Sequence, residues 1–189
     1  MAVEKLSMGE LNRLSIAAMK DQDKLPLVLV LDNIRSGLNV GSVFRTADAF
    51  LLEKIILCGI TAQPPHREIL KTALGSTESV QWAYAESTSR AVQNLIQAGY
   101  SVWAVEQTQP KVWLQDFSPV PKQKYALVLG NEVDGVTQEV LACCTGVLEI
   151  PQFGTKHSLN VAVAAGIAVW ELSQKIRSLM PFLNTSTSS

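Results

Sequence analysis

At 189 residues the chain falls in the usual one-domain range of about 100–200 residues. A composition of 47% hydrophobic and 17% charged residues is that of a globular domain and excludes collagen, global disorder and coiled coil. Sixteen Lys and Arg against seventeen Asp and Glu leave a net charge of −1, so any anionic partner must be held by a local patch.

The longest apolar stretches, 27–31 and 161–170, fall short of the roughly 20 residues a membrane-spanning helix needs. The opening residues mix charges of both signs and lack the pattern of a secretory signal. Cys58, Cys143 and Cys144, with no C-x-x-C pair and only His66 and His157 as histidines, indicate neither a disulfide framework nor a zinc site. A cytoplasmic protein without a structural metal is expected.

In chain order, Ser7 and Glu10 fit a capping box, and Leu11, Leu14 and Ala18 recur at helical spacing, predicting a helix to about residue 20. A polar break covers 21–24. Short, continuous apolar runs then follow at 27–31, 54–60, 101–106, 125–130 and 146–151, the mark of strands buried on both faces. Helical spacing occupies 40–50, 66–74, 87–98, 137–142 and 158–179. Strands alternating with helices predict an α/β fold with a mostly parallel sheet flanked by helices. The expected organisation is an extension over 1–24, a domain over 25–180 and a frayed tail over 181–189. Ligands of such sheets collect at the carboxyl ends of the strands, which directs attention to the turns there.

Three of these turns carry unusual chemistry. After 27–31 comes a segment with Arg35, Asn39, Gly41 and Arg45-Thr46-Ala47. Asn39 is placed to cap a helix and Arg45 lies in its second turn, a spacing that fits both a phosphate site and a plain cap with a solvated arginine. After 125–130 comes Gly130-Asn131-Glu132 and then Gly135-Val136. Its glycine spacing is that of a P-loop, but Val136 stands where the lysine belongs, so the nucleotide-hydrolase reading fails. The third turn, Ile150-Pro151 to Ser158-Leu159-Asn160, opens a helix apolar on nearly every face, which marks it as core or interface. Ser158 and Asn160 fit caps as well as a ligand role. No strand is followed by G-x-G-x-x-G, so the ordinary dinucleotide fingerprint is missing. Local chemistry reaches an anion or nucleotide site on an α/β sheet.

In order, the three turns resemble the three motifs of the SpoU branch of the SPOUT RNA methyltransferases. The matching residues are Asn39, Gly41 and Arg45-Thr46-Ala47; Gly130-Asn131-Glu132 and Gly135-Val136; and Ile150-Pro151, Gly154 and Ser158-Leu159-Asn160-Val161. The resemblance covers roughly residues 25–172. It implies a deep trefoil knot near the carboxyl end, an exception to the rule against knotted chains, together with a homodimer that binds S-adenosylmethionine. By position the cofactor residues are Val105, Glu106, Gln107, Thr108, Leu129, Gly130, Ile150, Gln152, Ser158 and Leu159. The implied reaction is methylation of a ribose 2′-hydroxyl of tRNA or, as the alternative, ribosomal RNA.

Arg45 is then the central catalytic candidate, with Asn39, Glu132, Ser158 and Asn160 beside it. A guanidinium does not deprotonate near neutral pH, so stabilising the developing alkoxide and gripping phosphate suit it better than acting as a base. Glu132 either orients Arg45 or shapes the second turn. RNA would approach along Arg35, Arg45, His66, Arg67, Lys71 and Lys156, for which solvated-face residues are the competing reading. The rival from another class is a homologue that binds S-adenosylmethionine or RNA without transferring a methyl group.

Overall fold

A computed structural model describes residues 22–155 and 158–180 of the chain. The helix expected before residue 21, the tail over 181–189 and the residues Lys156 and His157 lie outside the described residues. One seven-stranded sheet is formed by β1 Leu25–Asp32, β2 Leu52–Cys58, β3 Trp82–Ala85, β4 Tyr100–Val105, β5 Val112–Trp113, β6 Lys124–Leu129 and β7 Gly146–Glu149. Its helices are α1 Gly37–Ala49, α2 Arg67–Ala73, the single turn α3 Ser76–Ser79, α4 Thr88–Gln97, α5 Gln138–Cys143 and α6 Val161–Leu179. All five expected strands and all five expected helices within the described range are present.

The sheet order is β3-β2-β1-β6-β4-β7-β5, and every neighbouring pair is parallel. β1 and β6 lie at its centre because nothing polar interrupts them; Leu27, Val28, Leu29, Val30 and Leu31 are all fully buried. Successive side chains point to opposite faces. Leu25, Leu27, Leu29 and Leu31 accordingly pack with Val40, Phe44, Ile69, Ala165 and Leu172 on the side of α1, α2 and α6. Val28 and Val30 pack with Ala91, Val92, Leu95 and Val140 on the side of α4 and α5. Two cores thus sandwich one sheet.

β3 and β5 were not expected from sequence. β3 is a four-residue edge strand with Ala83 and Tyr84 exposed, so it lacks the continuous apolar texture of the others. β5 is two residues long and exists only through its pairing of Val112 with Leu148 and Trp113 with Glu149. Such a strand is defined by its partner, and no local signal marks it.

The chain lays down β1, β2 and β3 outward, crosses to β4 and β5, and then returns to insert β6 between β1 and β4 and β7 between β4 and β5. That late insertion gathers the turns after β4, β6 and β7 at one end of the sheet, beside the reversal of strand order where parallel sheets bind ligands.

Candidate active site

At this end lies a cavity of about 510 Å³, within the range of roughly 300–1,000 Å³ typical of small-molecule sites. Val105 to Thr108 end and follow β4, Leu129 to Val136 end and follow β6, Ile150 and Gln152 follow β7, Ser158 and Leu159 precede α6, and Val161 and Ala164 lie in its first turn. Each strand turns polar where its buried run ends, which releases the backbone to curve around the space. Apolar walls from Val105, Leu129, Val136, Leu141, Ile150 and Leu159 suit a flat heterocycle, and Glu106, Gln107, Thr108, Gln152 and Ser158 supply polar groups. All ten residues expected to contact a cofactor line this one cavity. Asn131, Val133, Asp134, Gly135, Val136, Leu141, Val161 and Ala164 line it as well and were not expected.

Asn131 had a legible signal, an asparagine opening a turn that closes on glycine. Its Oδ1 accepts the backbone N–H groups of Val133 and Asp134, each at 2.9 Å, and the Gly135 N–H reaches the Asn131 carbonyl at 3.0 Å. Gly130 has no room for a side chain, since a Cβ there would stand 2.0 Å from the Gly135 carbonyl carbon.

The three motif turns meet in a short polar chain. The Asn39 side-chain amide donates to the Glu132 carboxylate, and the Asn160 amide donates to Asn39 Oδ1 at 3.1 Å. Asn160 also caps α6, its Oδ1 accepting the Ala162 N–H at 2.9 Å and the Val163 N–H at 3.4 Å. Residues 121 positions apart are thereby joined.

Two expectations change, and Glu132 gains a partner. Asn39 is not the cap of α1; Ser36 is, its hydroxyl accepting the Asn39 N–H at 3.3 Å, and this frees the Asn39 side chain for the Glu132 contact. The last helix starts at Val161 rather than 158, so Asn160 is its cap while Ser158 lines the cavity. Glu132, for which orienting Arg45 and shaping the second turn were the open roles, accepts from the Asn39 side chain and makes no hydrogen bond or ion pair with Arg45 among the described residues.

Arg45 is exposed and stands apart from this chain. At 3.6 residues per turn, six positions place it about 120° around α1 from Asn39. Arg35, Arg67 and Lys71 are exposed too, the last two one turn apart on α2. His66 caps α2, its Nδ1 accepting the Glu68 N–H at 3.3 Å. Lys156 lies outside the described residues.

Asp32 ends β1 at 1% exposure. Its Oδ1 accepts from the Thr88 hydroxyl at 2.5 Å and the Asn33 amide at 2.8 Å, while Oδ2 has no partner among the described residues. Burial pushes the neighbouring Cys58 thiol up to about 12, opposed by a hydrogen bond with Thr88 and reinforced by the Asp32 charge.

A parallel α/β sheet with a nucleotide-sized cavity at its switch point, lacking both the P-loop lysine and the dinucleotide fingerprint, defines an α/β protein with a small-molecule site of neither of those two common kinds. Residues 26–170 match the SpoU rRNA Methylase family, and the chain belongs to it. It is 31% identical over 162 residues to the 23S rRNA (guanosine-2'-O-)-methyltransferase RlmB of Vibrio parahaemolyticus, covering 86% of this chain and 64% of that one. The AdoMet-bound rRNA methyltransferase of Sinorhizobium meliloti superposes with a TM-score of 0.74 at 28% identity, covering 86% of this chain and 61% of that one. A protein solved in a study of 2-OH methylation of C/U34 on tRNA gives a TM-score of 0.70 at 26% identity, covering 82% of this chain and 99% of that one. The chain spans a little over three fifths of the length of the first curated relatives it matches. S-adenosylmethionine is the cofactor of the family, and the cavity's volume and its division into apolar and polar walls fit it.

Proposed function

We propose that this protein transfers the methyl group of S-adenosylmethionine to a ribose 2′-hydroxyl of tRNA. The observation that carries the reading is that the second and third motif turns line one cavity while the first is tied to both by hydrogen bonds of Asn39 with Glu132 and Asn160. Alignment with 99% of the protein studied for tRNA 2-OH methylation supports tRNA as the substrate. The relatives that act on 23S rRNA make ribosomal RNA the second pool to test.

When bound, the cofactor supplies an activated methyl group on sulfur. The apolar walls hold its adenine, and the turns after β4, β6 and β7 exclude water from one side. Arg45, exposed and unengaged by hydrogen bonds among the described residues, grips a phosphate of the RNA and stabilises the negative charge developing on the ribose oxygen. Asn39 and Asn160, with Ser158 beside them, orient the ribose and the cofactor. Arg35, Arg67, Lys71 and Lys156 guide the RNA backbone towards them.

The carboxyl-terminal trefoil knot belongs to the same reading, supported by the late insertion of β6 and β7 between earlier strands. So does a homodimer. Val163, Ile167 and Trp170 form an outward apolar stripe on α6, exposed by 51%, 39% and 55%, where water would otherwise cover it.

Labelled S-adenosylmethionine offered separately to purified tRNA and ribosomal RNA, with mass identification of the labelled nucleoside, tests the proposal. A 2′-O-methyl nucleoside from tRNA is expected, with Arg45→Ala lowering transfer by about 100-fold or more and leaving cofactor affinity within about twofold of the parent, since no cofactor contact is assigned to it. Label only in ribosomal RNA would replace the substrate. Cofactor binding without label in either pool would favour the non-catalytic homologue.

A further inference from the structure

Glu106 follows β4 and faces the cavity, where a carboxylate would ordinarily be read as a ligand for the cofactor's hydroxyl or amino groups. Its hydrogen bonds run elsewhere. Oε1 accepts the Gln107 N–H at 2.8 Å, and Oε2 reaches across to accept the Val136 N–H at 3.0 Å. Val136 closes the turn after β6, so one side chain ties the β4 turn to the β6 turn, two walls of the same cavity.

The turn is built to admit that carboxylate. Gly135 has φ +64°, and a Cβ on it would stand 2.2 Å from Glu106 Oε2. On its other side the turn is pressed against Gly130. The segment 131–135 is therefore held between the Glu106 carboxylate and the end of β6, and it carries Glu132, the partner of Asn39. A hydrogen bond from backbone N–H to a carboxylate is among the stronger neutral-to-charged contacts, and this one spans two loops that share no other side-chain bond among the described residues.

We propose that Glu106 is a positioning residue, which sets the width of the cofactor cavity by bracing the β6 turn through its backbone. The inference rests on the cofactor reading above. Its chemistry requires an acceptor oxygen at the Val136 N–H and does not require a negative charge facing the cofactor. Glutamine retains such an oxygen, whereas alanine has none.

The test is S-adenosylmethionine binding by calorimetry to the full chain and to E106Q, E106A and G135A, with thermal melting of each. E106A is expected to weaken binding by about tenfold, the effect of losing one charge-assisted hydrogen bond. E106Q should stay within about threefold of the parent, because one acceptor remains. G135A, whose methyl displaces the carboxylate, should fall with E106A. KM for the cofactor should rise in parallel while kcat at saturation changes little. An E106A with parental affinity overturns the inference, and so does an E106Q as weak as E106A, because charge rather than acceptance would then be acting on the cofactor. If E106A does not fold, E106Q and G135A decide by the same criteria. A parent chain that binds no S-adenosylmethionine overturns the cofactor reading itself and this inference with it.

Discussion

Asp32 and Cys58 end adjacent strands and are both buried, in a neighbourhood that contains Thr88 and lies near Cys144. Desolvation disfavours the thiolate, and it pushes Cys144 as well as Cys58 up to about 12. The native state therefore keeps a proton that an unfolded cysteine, with its ordinary value of 9.0, gives up first. Below pH 9 both states are neutral and the contribution to stability is full; between pH 9 and 12 it declines as the unfolded state ionises. Iodoacetamide at pH 8 should leave Cys58 and Cys144 unmodified in the native protein and label both in urea. Native labelling of Cys58 at the rate seen in urea would refute this. At this scale the sequence was informative about Asn39, Glu132 and Asn160 through the resemblance of their three turns to one family's motifs, whereas spacing alone left each open between a cap or turn and a site. It was silent about Asp32, because a carboxylate at the end of an apolar run looks the same whether it meets water or Thr88.

The helix α1 was legible from its apolar spacing, yet its closest neighbour was not. Gly41 lies where α2 crosses, and a Cβ there would stand 2.1 Å from Thr72 Oγ1 and 2.4 Å from the Ile69 carbonyl oxygen. Thr72 Oγ1 in turn donates to the Leu38 carbonyl at 3.0 Å, stitching the two helices together. Alanine is favoured over glycine in an isolated helix by about 1 kcal/mol. Here the obstacle is backbone, which cannot rotate aside, so Gly41→Ala is expected to destabilise by roughly 1–3 kcal/mol. Urea denaturation should record a lower midpoint with an unchanged slope; a raised midpoint would mean that α2 moves away freely. β3 and β5 belong at this scale too. An edge strand with exposed Ala83 and Tyr84 and a two-residue strand take their identity from β2 and β7, so periodicity alone passes over them.

For the molecule as a whole, α6 has two apolar faces with different fates. Ala165, Ala168, Val169 and Leu172 are fully buried against the sheet, whereas Val163, Ile167 and Trp170 face outward. Trp170 touches Phe50 edge-on, with ring centroids 6.0 Å apart, and so extends the stripe towards the end of α1. If a second copy covers it, light scattering at micromolar concentration should give twice the chain mass, and Val163→Asp with Ile167→Asp should give the mass of one chain with S-adenosylmethionine affinity reduced by less than the transfer rate. A parent protein of single-chain mass would sink the dimer.

The sequence by itself determined the α/β class, the five central strands and the helices between them, while the ten residues that line one cavity came from the resemblance of its three turns to a known family. It could do so because burial on both faces of a parallel strand and the opening of a turn are written in consecutive residues. The tertiary structure alone decided the strand order, the two short strands, the close crossing at Gly41 and the chain from Glu132 through Asn39 to Asn160. Each of these depends on contacts between residues tens of positions apart, where the free energy comes from which surfaces meet, and no local pattern encodes that choice.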